Sequence, residues 1–113
     1  MSAITTHVLD ISRGCPGSGI EVALQIRSDG EWKQIGNGVT DANGRCNTLM
    51  AVDGQIQAGT YRLLFGVGAY YRARQTETFY AEIPIIFEVL HPEAHYHVPL
   101  LISPFGYSTY RGS

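Results

Sequence analysis

Ile20, Val22, Leu24 and Ile26 fall on every second position, with Glu21, Gln25 and Arg27 between them, and the run breaks at Ser28-Asp29-Gly30-Glu31. A period of two puts the apolar side chains on one face of a β-strand and the polar ones on the other. Asp-Gly suits a two-residue hairpin, because both central residues of the favoured turn take positive φ. The chain is therefore expected to double back into a further strand over about residues 31–37, through Trp32 and Ile35. Strands with one apolar face need a second layer to cover it, which constrains the whole fold.

The same punctuation recurs along the chain. Residues 3–10 alternate, with Ile4, Thr6 and Val8 on one face and Thr5, His7 and Leu9 on the other. Asp41-Ala42-Asn43-Gly44 reads as a second turn. Residues 60–66 form a strand with Tyr61, Leu63 and Phe65 on one side. IPIIFEVL, from Ile83, reads as a strand buried on both faces. His95 to Leu101 and Gly106 to Tyr110 complete the set. Residues 69–79 (AYYRARQTETF) are the one stretch suited to a short helix. The expectation is an all-β sandwich of about seven to eight strands with one short helix. It occupies residues 1–113 as a single domain, a size that buries roughly 65% of its unfolded surface.

Several function classes are disfavoured. The chain is 44% hydrophobic and 16% charged, with a net charge of −2. Its eight basic residues are scattered, so no footprint for nucleic acid or an anionic membrane is present. No run of eighteen apolar residues occurs to span a bilayer. MSAITTHVLD lacks the basic and apolar regions of a signal peptide, so a cytoplasmic location is expected, with Cys15 and Cys46 as reduced thiols. G-x-S-x-G, P-loop, G-x-G-x-x-G and C-x-x-C patterns are all missing.

Chemistry concentrates at a few positions. His95 and His97 are two apart, so their side chains share a strand face, while Tyr96, Val98 and Leu100 take the other. Since the apolar set claims the core, both histidines point outward. A metal would want further ligands, and Cys46 beside Arg45 is a poor one. His7 is either an ordinary strand histidine or a site residue. His91, before Pro92, is a solvated turn residue. Arg45 follows an Asn-Gly turn; it is either a surface arginine or a planar clamp for a carbonyl or oxyanion. Asp10 lies on the opposite strand face from His7 and reads as structural, holding the loop that follows. Tyr110-Arg111-Gly112-Ser113 is either a frayed tail or a strand extension that places a phenol, a guanidinium and a hydroxyl together, with Gly112 allowing close backbone approach.

Thr6-His7-Val8-Leu9-Asp10, Gly44-Arg45-Cys46 and the closing HYHVPLLISPFGYSTYRGS together resemble the 5-hydroxyisourate hydrolases, the enzymatic branch of the transthyretin family. The resemblance covers essentially the whole chain, including GTYRLLF and the short helix before IPIIFEV. Its most specific element is the YRGS ending, which the hormone-carrying branch lacks. Asn43-Gly44 stands where the family commonly has Asp-Gly, and Ile102 where it commonly has leucine. The segment after Phe65 lacks a polar residue often found there.

The resemblance implies a transthyretin-like (prealbumin) sandwich and a homotetramer assembled as a dimer of dimers, with active sites in the channel between dimers. It implies hydrolysis of 5-hydroxyisourate to 2-oxo-4-hydroxy-4-carboxy-5-ureidoimidazoline, without a metal or organic cofactor. His7, Arg45 and His97 (not His95) would be catalytic. Tyr110, Arg111, Gly112 and Ser113 would bind substrate. The rival expectation is a transthyretin-like small-molecule carrier, which would place apolar or small residues where His7, Arg45 and His97 stand.

Overall fold

The computed structural model describes residues 3–50 and 56–113. Among these residues there are nine strands and one helix: β1 (Ile4–Asp10), β2 (Cys15–Pro16), β3 (Glu21–Ser28), β4 (Glu31–Val39), β5 (Arg45–Cys46), β6 (Gly59–Phe65), α1 (Val67–Arg72), β7 (Ile83–Val89), β8 (Tyr96–Ser103) and β9 (Gly106–Thr109). Two sheets form. One runs β2-β1-β8-β9, with β5 also paired to β1; the other runs β4-β3-β6-β7. The β1–β8 pair is parallel and the remaining pairs are antiparallel. Seven strands of four or more residues make the sandwich expected from the alternation. Two two-residue strands, too short to carry a period, were invisible in the sequence.

The core lies between the sheets. Ile4, Val8, Leu100 and Ile102 from the first meet Val22, Leu24, Leu63 and Phe65 from the second, all buried. The β3–β4 hairpin turns at Asp29 (φ 52°) and Gly30 (φ 78°), the two positive angles the Asp-Gly pair predicts. β4 continues two residues past the expected end. A register shift between Leu24 and Gln25 marks a bulge, which a one-strand period cannot reveal.

Two expectations need correction. The helix spans Val67–Arg72 rather than 69–79. Gly66 caps it without a side-chain bond, and Gln75 takes φ 54° just beyond it. Ala, Arg, Gln and Glu favour helix over 73–79, but Phe79 N donates to Pro104 O at 2.8 Å and draws the chain onto the first sheet. Tertiary pairing overrides propensity there. Likewise β7 is not buried on both faces. Ile83, Ile85 and Val89 are buried, whereas Pro84, Ile86 and Glu88 are exposed. With only two layers in the sandwich, the outer face of the second sheet has nothing packed over it, so β7 is covered on one face only.

Candidate active site

His7 and Arg45 are direct partners in the β1–β5 pair. The turn before Arg45 sets that register. Gly44 N donates to Asp41 O at 2.9 Å, Asp41 N donates to Arg45 O at 2.9 Å, and Val8 N donates to Gly44 O at 2.7 Å. The Asp41 carboxylate accepts from the backbone N–H of Asn43 (2.9 Å) and of Arg45 (3.0 Å). Those backbone bonds, first from Arg45 and then from Asn43, hold its carboxyl below the usual range. Gly44 sits at φ 78°, and a Cβ there would strike the Val8 carbonyl. Only glycine lets the turn close onto β1 and place Arg45 beside His7. His7 Nε2 lies 3.0 Å from Asn43 O. A carbonyl only accepts, so Nε2 carries the proton and neutral His7 presents a bare Nδ1.

His97 enters from β8. Thr5 of β1 is its register partner in the parallel pair. The Thr5 hydroxyl is 2.8 Å from His97 Nδ1 and 3.0 Å from His95 Nε2. Thr5 is only 2% exposed although it belongs to the outward face. Burial lowers the His97 pKa, and the charges of Arg45, His7 and His95 push it the same way. The registers that pair His7 with Arg45 and Thr5 with His97 place His7, Arg45 and His97 on one face of β1, β5 and β8.

The tail reaches the same place. Gly112 pairs with His97 in an isolated antiparallel bridge, with Gly112 N donating to His97 O at 2.8 Å. A Cβ on Gly112 would stand 2.7 Å from His97 Cδ2, too close for any side chain. Arg111 goes elsewhere. Its guanidinium lies 4.5 Å over the Tyr96 ring, and Nη2 donates to His95 O at 3.4 Å. Tyr110 is 59% exposed and borders a cavity of about 230 Å³ between the sheets at the β7 edge, with Ile85, Phe87, Tyr96 and Val98. Of the four tail residues, Gly112 is the one held directly against His97.

Asp10 is fully buried on the opposite strand face. It accepts from Ser12 Oγ (2.6 Å), Tyr70 Oη (2.8 Å) and Tyr71 Oη (3.0 Å), as well as from the backbone N–H of Ser12 and Arg13. Burial pushes its carboxyl up, but the bonds from Ser12, Tyr70, Tyr71 and Arg13 outweigh burial and hold it below the usual carboxylate range. Burial, chiefly, pushes Tyr71 up to about 12. The cluster fastens the end of β1 to α1 and so fixes the strand that carries Thr5 and His7.

A profile of the HIUase/Transthyretin family matches residues 4–112. The chain belongs to the HIUase/Transthyretin family. It is 41% identical to the 5-hydroxyisourate hydrolase of Pseudomonas aeruginosa, over all of this chain and 93% of that one. The solved structure of Klebsiella pneumoniae 5-hydroxyisourate hydrolase superposes with a TM-score of 0.87 at 39% identity, covering all of both chains. Transthyretin from Sparus aurata superposes with a TM-score of 0.90 at 33% identity, covering 99% of this chain and 97% of that one. The protein is a hydrolase with the transthyretin-like fold.

Within that family frame, the residues singled out in the sequence divide. His7, Arg45, His97 and Gly112 converge on the outward face of β1, β5 and β8. His91 sits in a surface turn, 3.8 Å from Glu93. Cys15 and Cys46 are both free. Thr5 went unnoticed. Its signal was present, since it shares a strand face with His7 two positions away, but a threonine in a strand is too ordinary to stand out.

Proposed function

We propose that the protein hydrolyses 5-hydroxyisourate to 2-oxo-4-hydroxy-4-carboxy-5-ureidoimidazoline, a step of urate breakdown, without a metal or organic cofactor. The observation that carries this reading is the placement of two imidazoles and a guanidinium on one sheet face, with the Gly112 backbone closed onto one of the imidazoles.

Ring opening at an amide needs an activated water, a donor for the developing oxyanion, and a proton for the departing nitrogen. His97 is held neutral by burial and by neighbouring positive charge, so its free Nε2 takes the proton from water as that water attacks the ring carbonyl. A positioned base of this kind contributes roughly 10²–10⁴-fold. Arg45 donates to the carbonyl oxygen as it gains charge, a role whose loss typically reduces the rate by roughly 10²–10³. The C–N bond then breaks, its electron pair goes to nitrogen, and the proton returns there through His97 or His7. Tyr110, Arg111, Gly112 and Ser113 complete the substrate-binding wall, with Arg111 as the anchor of the tail.

Assembly belongs to the same reading. Leu9, on the same face of β1 as His7, is 36% exposed, and a partner laid over that face would cover it. A homotetramer built as a dimer of dimers turns this open face into a cleft and encloses the tail. No helix among the described residues is long and apolar enough to cross a membrane, and the proposed location is the cytoplasm. The substrate, rather than nucleic acid or membrane, is the partner.

The test generates 5-hydroxyisourate in situ from urate and urate oxidase and follows its absorbance. Accelerated decay is expected. A decay no faster than the spontaneous reaction would overturn the assignment.

A further inference from the structure

Thr5 holds one hydroxyl proton between two imidazoles. Its Oγ1 lies 2.8 Å from His97 Nδ1 and 3.0 Å from His95 Nε2. A hydroxyl has one hydrogen to donate and two lone pairs to accept with. It can therefore donate to one of these nitrogens at most, and any neighbour to which it does not donate must donate to it. The tautomers of the two rings are linked through a single proton.

The three residues sit differently towards solvent. Thr5 is 2% exposed and His97 half-buried, while His95 is exposed. The β1–β8 register fixes Thr5 opposite His97, and the Gly112 bridge packs the tail against the His97 ring. The His97 ring is therefore held by its Thr5 bond on one side and the Gly112 backbone on another. Only its proton placement is left to be set.

We propose that Thr5 is a positioning residue that fixes the reactive tautomer of His97, with His95 as the acceptor that orients the Thr5 hydroxyl. This rests on the reading of His97 as the base. For Nε2 of neutral His97 to be bare, Nδ1 must carry the ring proton. His97 Nδ1–H then donates to Thr5 Oγ1, and Thr5 O–H donates to His95 Nε2, whose own ring proton sits on Nδ1 at the exposed edge. The reverse orientation, with Thr5 donating to His97, puts the proton on Nε2 and removes the base. When His97 accepts a proton from water, its Nδ1–H remains bonded to Thr5, so the imidazolium forms without a new partner having to be found.

His95 thereby acquires a function that its exposure alone does not suggest. Protonating its Nε2 takes away the acceptor for the Thr5 hydroxyl and frees that hydroxyl to turn towards His97. The charged or titratable groups that act on this assembly are His7 on β1, Arg45 on β5, His95 and His97 around β8, and Arg111, which donates to His95 O.

The experiment compares wild type, Thr5→Val and Thr5→Ser in two readouts. The first is the tautomer of His97 in long-range proton–nitrogen NMR spectra of protein labelled at its histidine ring nitrogens, at a pH where the rings are neutral. The Nδ1–H form is expected in wild type and in Thr5→Ser, with a shift towards Nε2–H in Thr5→Val. His95→Ala, at an exposed ring, is expected to shift it the same way. The second is 5-hydroxyisourate turnover. Thr5→Val is expected to lose roughly 10²-fold in kcat, the lower end of a base contribution, with little change in KM and a displaced acid limb, and Thr5→Ser to recover most of that loss. An Nε2–H tautomer in wild type overturns the proposal. So does a Thr5→Val protein with unchanged kcat and pH profile. The wild-type spectrum decides the tautomer even if Thr5→Val fails to fold, and it does so whether or not 5-hydroxyisourate proves to be the substrate.

Discussion

Gly112 and His97 face each other across a bridge in which Gly112 N donates to His97 O at 2.8 Å, and no room remains for a Cβ between them. The glycine of the tail is thus matched to an imidazole fifteen residues earlier. Gly112→Ala is expected to push the tail off β8 and lower kcat/KM by at least about tenfold, since small misplacements of a site wall reduce rates steeply. The core is untouched, so Tm is expected to stay within a few degrees of wild type. A fully active Gly112→Ala protein would show that the tail does not form the site.

Extension of the tail tests the same wall from the other end. Two or three residues appended after Ser113 are expected to reduce turnover while leaving the fold and the assembly intact. Equal turnover with and without the extension would contradict a site wall built from the tail.

Gly44 makes a separate, structural prediction. Its φ of 78° and its approach to the Val8 carbonyl both exclude a side chain. Gly44→Ala is expected to destabilise the fold by roughly 1–3 kcal/mol, lowering Tm by roughly 5–15 °C. The surviving folded protein is expected to turn over more slowly, because Arg45 no longer sits in register with His7. Thermal unfolding and kinetics on the same sample check both effects.

Asp10 is a buried carboxylate on the strand face away from His7. It receives two phenol bonds, one hydroxyl bond and two backbone bonds. Asp10→Ala strands the buried Tyr70 and Tyr71 hydroxyls and is expected to be destabilising by about 2–4 kcal/mol, as loss of a buried hydrogen-bond network usually is. Because its pKa is lowered in the folded protein, its contribution is complete above the unfolded value near 3.9 and is lost as pH falls through the folded value. Denaturant midpoints at pH 7 and pH 3 in wild type and Asp10→Ala check this.

His97 titrates in the opposite chemical sense. Burial, then Arg45, His7 and His95, lower its pKa. The neutral base should therefore persist below the ordinary value of about 6.5. Its contribution to stability is present above that value and is lost as pH falls towards the folded pKa, since the unfolded ring binds its proton first. An NMR titration of His97 with a midpoint above about 6.5 would contradict this placement.

Much of this was legible in the sequence because it depends on local rules. Alternation assigned the outward face to His7 and His97, the Asp-Gly pair set the β3–β4 hairpin, and the Asn43-Gly44 turn located Arg45. The opposite strand face identified Asp10 as structural. What was not legible depends on distant contacts. The helix ends early because Phe79 pairs with Pro104. β7 is half exposed because only two layers form and nothing covers the outer face of its sheet, and the bulge at Leu24/Gln25 needs a partner strand to exist. Thr5 matters only because parallel pairing sets it opposite His97, ninety-two residues away along the chain.

The most direct measurement is the decay of 5-hydroxyisourate in the presence of wild type, His97→Asn and Arg45→Gln at equal concentration and equal assembly. Wild type is expected to accelerate ring opening, with losses of roughly 10²–10⁴-fold for His97→Asn and roughly 10²–10³-fold for Arg45→Gln. Variants that keep the wild-type rate in an intact assembly would contradict the placement of the hydrolytic site on the outward face of β1, β5 and β8.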